Sequence, residues 1–153
     1  MRILSSLLVA FIVQIIAPPP KPGHAAILAS PAEVNGKAGT KVALFVDVTP
    51  KPGMHVYAPG NADYIPITVK LNAAAEIKAG KLAYPKSDVV TLADEKVSVF
   101  QKPFRLTQDV TLDKSAKPGS AIAVAGIVNY QACDDRVCYP PESAPVSWSV
   151  TVK

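Results

Sequence analysis

Cys133 and Cys138 are the two cysteines of the chain, and four residues stand between them. Their stretch runs Tyr130-Gln131-Ala132-Cys133-Asp134-Asp135-Arg136-Val137-Cys138-Tyr139-Pro140-Pro141. A bridge this local cannot join strands far apart in sequence, as the inter-sheet bridge of an antibody domain does. The loop-entropy account assigns it about 2 kcal/mol, the low end for a structural disulfide. Reversible exchange makes better use of the pair: one cysteine attacks or is attacked, and a second nearby resolves the mixed disulfide. Asp134, Asp135 and Arg136 keep the loop solvated. The two carboxylates disfavour a thiolate at Cys133, and Arg136 favours one. Pro140-Pro141 ends the strand and stiffens the exit. Two other readings stay open. One is a non-catalytic secreted binding module with a structural hairpin disulfide. The other is a copper(I) chaperone, in which Met54 or His55 joins both thiolates. Met54-His55 stands at what looks like a strand start, where packing is the simpler role.

Short strands must position this pair. The chain has 153 residues, one domain's worth, with 49% hydrophobic and 18% charged residues. Disordered chains are poorer in apolar residues and richer in charge. Fifteen prolines and eight glycines exclude a helical bundle, because a proline inside a helix costs about 3 kcal/mol. From 146 to 153, Val146, Trp148, Val150 and Val152 alternate with Ser147, Ser149, Thr151 and Lys153. That period of two marks a half-buried strand, with Trp148 in the core. Val42, Leu44, Val46 and Val48 give the stretch 41–48 one apolar face. Further strands are expected over 64–71, 97–100 and 104–112, with Pro66 pushing the start of the first towards an edge or bulge. The stretch 120–130 is apolar on both faces and reads as central. Short strands divided by turn residues indicate an antiparallel β-sandwich, all-β in class.

The N-terminus reads as an address. Arg2 precedes an apolar run from Ile3 to Ala17, broken by Ser5, Ser6 and Gln14. The run is short of the about 20 residues that a spanning helix needs. Gly23 and Ala25 are the small residues of a cleavage site before Ala26. The segment 1–25 is therefore expected to be a secretory signal peptide and 26–153 the mature domain; an uncleaved N-terminal anchor is the other reading. Losing Arg2 and Lys21 leaves 14 − 12 = +2, and no basic run appears, so no nucleic-acid partner is expected. Export leads to an oxidising compartment, where a cysteine pair can bond. Two histidines far apart make no histidine-built metal centre.

The cysteine stretch, Tyr130-Gln131-Ala132-Cys133 to Cys138-Tyr139-Pro140-Pro141, resembles the active-site strand pair of the N-terminal periplasmic domain of DsbD, the thiol:disulfide interchange protein. Other pieces follow in the same order. Gly53-Met54-His55-Val56-Tyr57-Ala58-Pro59 resembles the family's early aromatic strand. Tyr84-Pro85, then Asp94-Glu95 to Phe104, resemble the stretch through its cap loop, and Pro145 to Lys153 its closing strand. The resemblance spans nearly all of residues 30–153 and implies an immunoglobulin-like sandwich with a redox-active pair. It implies electrons taken from a membrane-embedded thiol carrier and passed to periplasmic thioredoxin-fold proteins, such as disulfide isomerases and cytochrome c maturation factors. Neither a cofactor nor a small-molecule substrate is expected, because the sulfurs carry both electrons. By position, Cys138 matches the cysteine that forms the mixed disulfide and Cys133 the resolving one. Tyr57 matches an aromatic near the pair, Asp94 and Glu95 match acidic residues near the cap, and Tyr139 flanks the pair. The cysteine loop is one residue shorter than in the best-known members. No aromatic directly follows Asp94-Glu95, so Phe100 or Tyr64 would have to shield the disulfide. With the sequence ending at Lys153, the electron donor is expected to be a separate protein.

Overall fold

The computed structural model describes residues 23–92 and 94–153. The expected signal peptide thus lies outside the described residues except for Gly23, His24 and Ala25. The fold is an immunoglobulin-like all-β sandwich. One sheet places β1 (Ala25–Ala29), β3 (Lys41–Pro50), β9 (Phe104–Leu112) and β6 (Ile77–Ala83) side by side. The facing sheet runs β2 (Glu33–Gly36), β12 (Glu142–Val152), β10 (Ala121–Tyr130), β5 (Thr68–Leu71). Its β2 runs parallel to β12; β10 pairs antiparallel with both β12 and β5.

Strand alternation fills the space between the sheets. Leu44, Val46, Val48, Leu106 and Val110 of the first sheet pack in one core with Val124, Val128, Trp148 and Val150 of the second. Full burial of one such aliphatic side chain contributes about 1.5–3 kcal/mol. Trp148 spans the layers: its Nε1–H donates to the carbonyl of Phe45 at 3.1 Å, which satisfies its one polar atom inside the core.

A third, smaller sheet positions the cysteines. It is ordered β11 (Ala132–Cys133), β4 (His55–Tyr57), β8 (Glu95–Phe100), β7 (Asp88–Leu92). All but β7 of these directly continue a main-sheet strand or lead into one. β3 turns into β4 through Lys51-Pro52-Gly53-Met54, where the amide of Met54 donates to the carbonyl of Lys51 at 2.9 Å and Gly53 has φ 77°. Pro then Gly at the two central positions is what a type II turn requires. β8 leads into β9, and β10 runs on into β11. Both main sheets thus feed one end of the sandwich.

Strands β12 and β8 begin earlier than the sequence expectation, at Glu142 and Glu95, and two further elements differ from it. Strand β5 covers only 68–71, not 64–71. Pro66 has no N–H for a ladder, and Ile67 instead donates to the carbonyl of Tyr57 at 2.9 Å. β10 lies between two strands as expected, yet only one of its faces is covered. Ala121, Ala123 and Ala125 face solvent, because alanine exposes too little apolar surface to demand a covering layer, and Ile127 is exposed beside them.

Candidate functional site

The chain leaving β10 makes a two-residue strand and a tight reversal. Ala132 pairs with Val56 and Cys133 with His55. Cys133 and Cys138 face each other as an isolated antiparallel bridge, their Cα atoms 4.1 Å apart and their sulfurs bonded. Asp134 builds the reversal. Its amide donates to the carbonyl of Val137 at 2.9 Å. Its Oδ1 accepts from the amides of Arg136 at 2.8 Å and Val137 at 2.7 Å, and its Oδ2 from the Tyr139 hydroxyl at 3.0 Å. An aspartate folded back on its own turn in this way substitutes for ladder bonds that the loop cannot make. The amides of Arg136 and Val137, then the Tyr139 hydroxyl, hold the Asp134 carboxyl below the usual carboxylate range. The reciprocal bond pushes the Tyr139 phenol up.

The two sulfurs sit in different surroundings. Cys133 is 1% exposed and packs with Tyr57, Val97 and Val99, bordered by Tyr64, Val90 and Leu92. Cys138 is exposed. The hydroxyl of Tyr57 reaches the Cys138 Sγ at 3.4 Å, and its ring stacks on Tyr64 at 4.3 Å between centroids. Burial, with Tyr64 adding to it, pushes the Tyr57 phenol up, so its proton is retained at neutral pH. Asn61 fastens the segment carrying Tyr64. Its Nδ2 donates to the carbonyls of Ala58 and Ser98, and its Oδ1 accepts from the amide of Ser98. The side chain thereby acts as a further strand partner for β8 where β4 has ended.

Two histidines flank the pair. His55 is 2% exposed, stands opposite Cys133 and meets the Tyr57 ring edge-on at 5.5 Å. His24 stacks on Tyr139 at 3.9 Å, and its Nδ1 lies 2.6 Å from Oε1 of Glu142. Burial raises the Glu142 carboxyl, but bonds from Tyr130 and from the amide and ring of His24 outweigh it and hold the group low. Among the described residues, no three His, Cys, Asp or Glu side chains gather as a metal ligand set.

The expected residues therefore separate. Cys133, Cys138, Tyr57 and Tyr139 are brought together. Asp94 and Glu95 lie exposed at the tip of the β7–β8 hairpin, where Asp94 takes the left-handed φ of 69°. Glu95 borders a cleft of about 350 Å³ shared with Asn61, Asp63 and Tyr64. Phe100 turns the other way: it is buried in the sandwich core, stacked on Phe104 at 4.0 Å. Tyr64, not Phe100, is the aromatic set against Tyr57. Sequence reasoning missed Asn61, His24 and the placement of His55. For His55 a signal existed, since residues two apart on a strand share a face and Tyr57 was already placed by the pair. For Asn61, which follows Pro59-Gly60, the sequence offers no signal beyond that of a turn residue.

The family model described as "Thiol:disulfide interchange protein DsbD, N-terminal" matches residues 25–148. No curated protein matches the chain. Among solved structures, the N-terminal periplasmic domain of ScsB from Proteus mirabilis is similar, with TM-score 0.58 and 12% identity over 86% of this chain. The chain spans about half, 49%, of that structure's length. The major pilin subunit BcpA of Bacillus cereus is similar at TM-score 0.50 and 10% identity, over 84% of this chain and 40% of the pilin. At such identities the likeness is one of fold.

Proposed function

The chain belongs to the family of the DsbD N-terminal domain, and on that premise we propose that it relays electrons through a reversible Cys133–Cys138 disulfide. The observation that carries the reading is the asymmetry of the two sulfurs: Cys138 is exposed, while Cys133 is 1% exposed. A visiting disulfide can reach only the first, and the second waits beside it.

In the reduced domain the Cys138 thiolate attacks a disulfide of the partner. One partner sulfur leaves as a thiolate, and the other is bonded to Cys138. Cys133 then attacks the Cys138 sulfur and expels the partner's second thiolate. Two electrons have passed to the partner, and the domain holds its own disulfide again. Tyr57 donates its hydroxyl towards Cys138 and supports the thiolate, while Asp134 keeps the loop folded through both states. Tyr139 braces Asp134, and Asp94, Glu95 and Tyr64 form the rim that a partner meets. The acceptors are thioredoxin-fold proteins of the periplasm, and the donor is a membrane-embedded thiol carrier. Export by the N-terminal signal segment brings the domain there, and the reaction needs no cofactor.

The test is mixed-disulfide trapping. Cys133→Ser leaves Cys138 able to form the mixed disulfide and nothing to resolve it. We expect this variant to capture thioredoxin-fold proteins from periplasmic extract, reversibly by reductant, and Cys138→Ser to capture none. Capture by Cys138→Ser alone reverses the two roles. Capture by neither, with a wild-type midpoint potential below about −300 mV, returns the bond to a structural staple.

A further inference from the structure

We propose that His55 accepts the proton of the Cys133 thiol at the moment Cys133 resolves the mixed disulfide. This rests on the exchange reading above and adds the step that reading leaves without a base. Cys133 is buried, and a thiol must lose its proton to attack. Burial in apolar surroundings opposes that loss.

The geometry supplies an acceptor. Strands β4 and β11 pair with His55 directly opposite Cys133. Val56 and Ala132 turn into the sandwich core, while Cys133 and Tyr57 lie in the separate cluster on the other face. His55 is two residues from Tyr57 and opposite Cys133, so it shares that face. Side chains opposite one another in such a pair have Cβ atoms about 4.5–5.5 Å apart. The Nε2 of His55 is buried and has no hydrogen-bond partner among the described residues. Buried polar atoms seldom lack one, and those that do call for an explanation.

The surrounding groups favour the role. From its own strand His55 meets Tyr57, with Tyr64 stacked behind it. From β11 and the loop it faces Cys133, Asp134 and Asp135. Strand β8 sets Val99 and Phe100 against Tyr57 and Val56, neither of them titratable. Burial pushes the imidazole below the ordinary histidine value, while the Asp135 and Asp134 carboxylates pull the other way. The ring is therefore neutral at rest, and two carboxylates support it once charged. In the step itself the Cys133 proton passes to Nε2. The thiolate forms its bond to the Cys138 sulfur, and the Cys138–partner bond breaks with its electron pair on the partner sulfur. The imidazolium then releases its proton to that thiolate or to solvent.

The experiment mixes the reduced domain with dithiobis(nitrobenzoate) and follows release of the coloured thiolate. The first release reports attack by Cys138, and the second reports resolution by Cys133. In the wild-type protein the second rate should level off through neutral pH. In His55→Gln it should fall at least tenfold at neutral pH, far more than the first, and rise about tenfold per pH unit with the thiolate fraction. A wild-type second rate already rising in that way overturns the proposal without need of a variant, and so does a His55→Gln profile that keeps the plateau. A wild-type protein with no second release overturns the exchange reading along with it. A normal two-step wild type beside an unchanged His55→Gln overturns this inference alone.

Discussion

The Tyr57 hydroxyl lies 3.4 Å from the Sγ of Cys138, although 81 residues separate them in the chain. In the reduced state this hydroxyl is a ready donor to a thiolate. A hydrogen bond to a charged group contributes about 1.5–3 kcal/mol, and the exposure of Cys138 puts this one at the low end. With Cys133→Ser as background, Tyr57→Phe should therefore raise the Cys138 thiol pKa by about one unit. Ultraviolet absorbance of the thiolate against pH measures it. An unchanged titration means that the hydroxyl serves the bonded state only.

Asn61 makes three hydrogen bonds to Ala58 and Ser98. Asn61→Ala leaves the Ser98 amide without its partner, while the Ser98 carbonyl keeps the bond from the Ala58 amide at 3.0 Å, at a cost of about 1–3 kcal/mol. Thermal unfolding should shift down accordingly. Because the same side chain fastens the segment bearing Tyr64, reduction of the disulfide by dithiothreitol should also become severalfold faster. Lower stability with an unchanged reduction rate would confine Asn61 to a structural role.

Asp134 gives the loop a pH dependence whose sign follows from its lowered carboxyl. The charged form is favoured in the folded loop, first by the amides of Arg136 and Val137 and then by Tyr139. Its contribution is complete above the ordinary value of 3.8 and is lost as pH falls through the lower, folded value. The amide resonances of Arg136 and Val137 should hold steady down to pH 3.8 and shift only in more acid solution. In Asp134→Asn that acid transition should vanish. Movement centred on the ordinary value would show that the carboxylate is not bonded as described.

Alternation made the sandwich readable. Val146, Trp148, Val150 and Val152 are all buried on one face of β12, as their period of two implies, and Val42, Leu44, Val46 and Val48 repeat this in β3. The cysteine pair was readable from its spacing, which rules out a long-range staple. The site's lining was not. Tyr57 and Val97 meet Cys133 through strand pairings between segments distant in sequence, and Tyr64 joins them from a loop by stacking on Tyr57; spacing carries no register for either. Phe100 shows the same limit from the other side. It follows the acidic pair closely in sequence, but strand alternation sends Val97 and Val99 to the sulfur and Phe100 to the core. β11 has only two residues, too few for any periodic signal.

The turn at Pro52-Gly53 and the run from β10 into β11 tie the reactive end to two different layers. Whatever slides one layer against the other must also shift β11 along β4, and Cys133 with it. A lesion deep in the hydrophobic filling, far from any visitor's touch, would then be felt as altered chemistry well before the molecule melts.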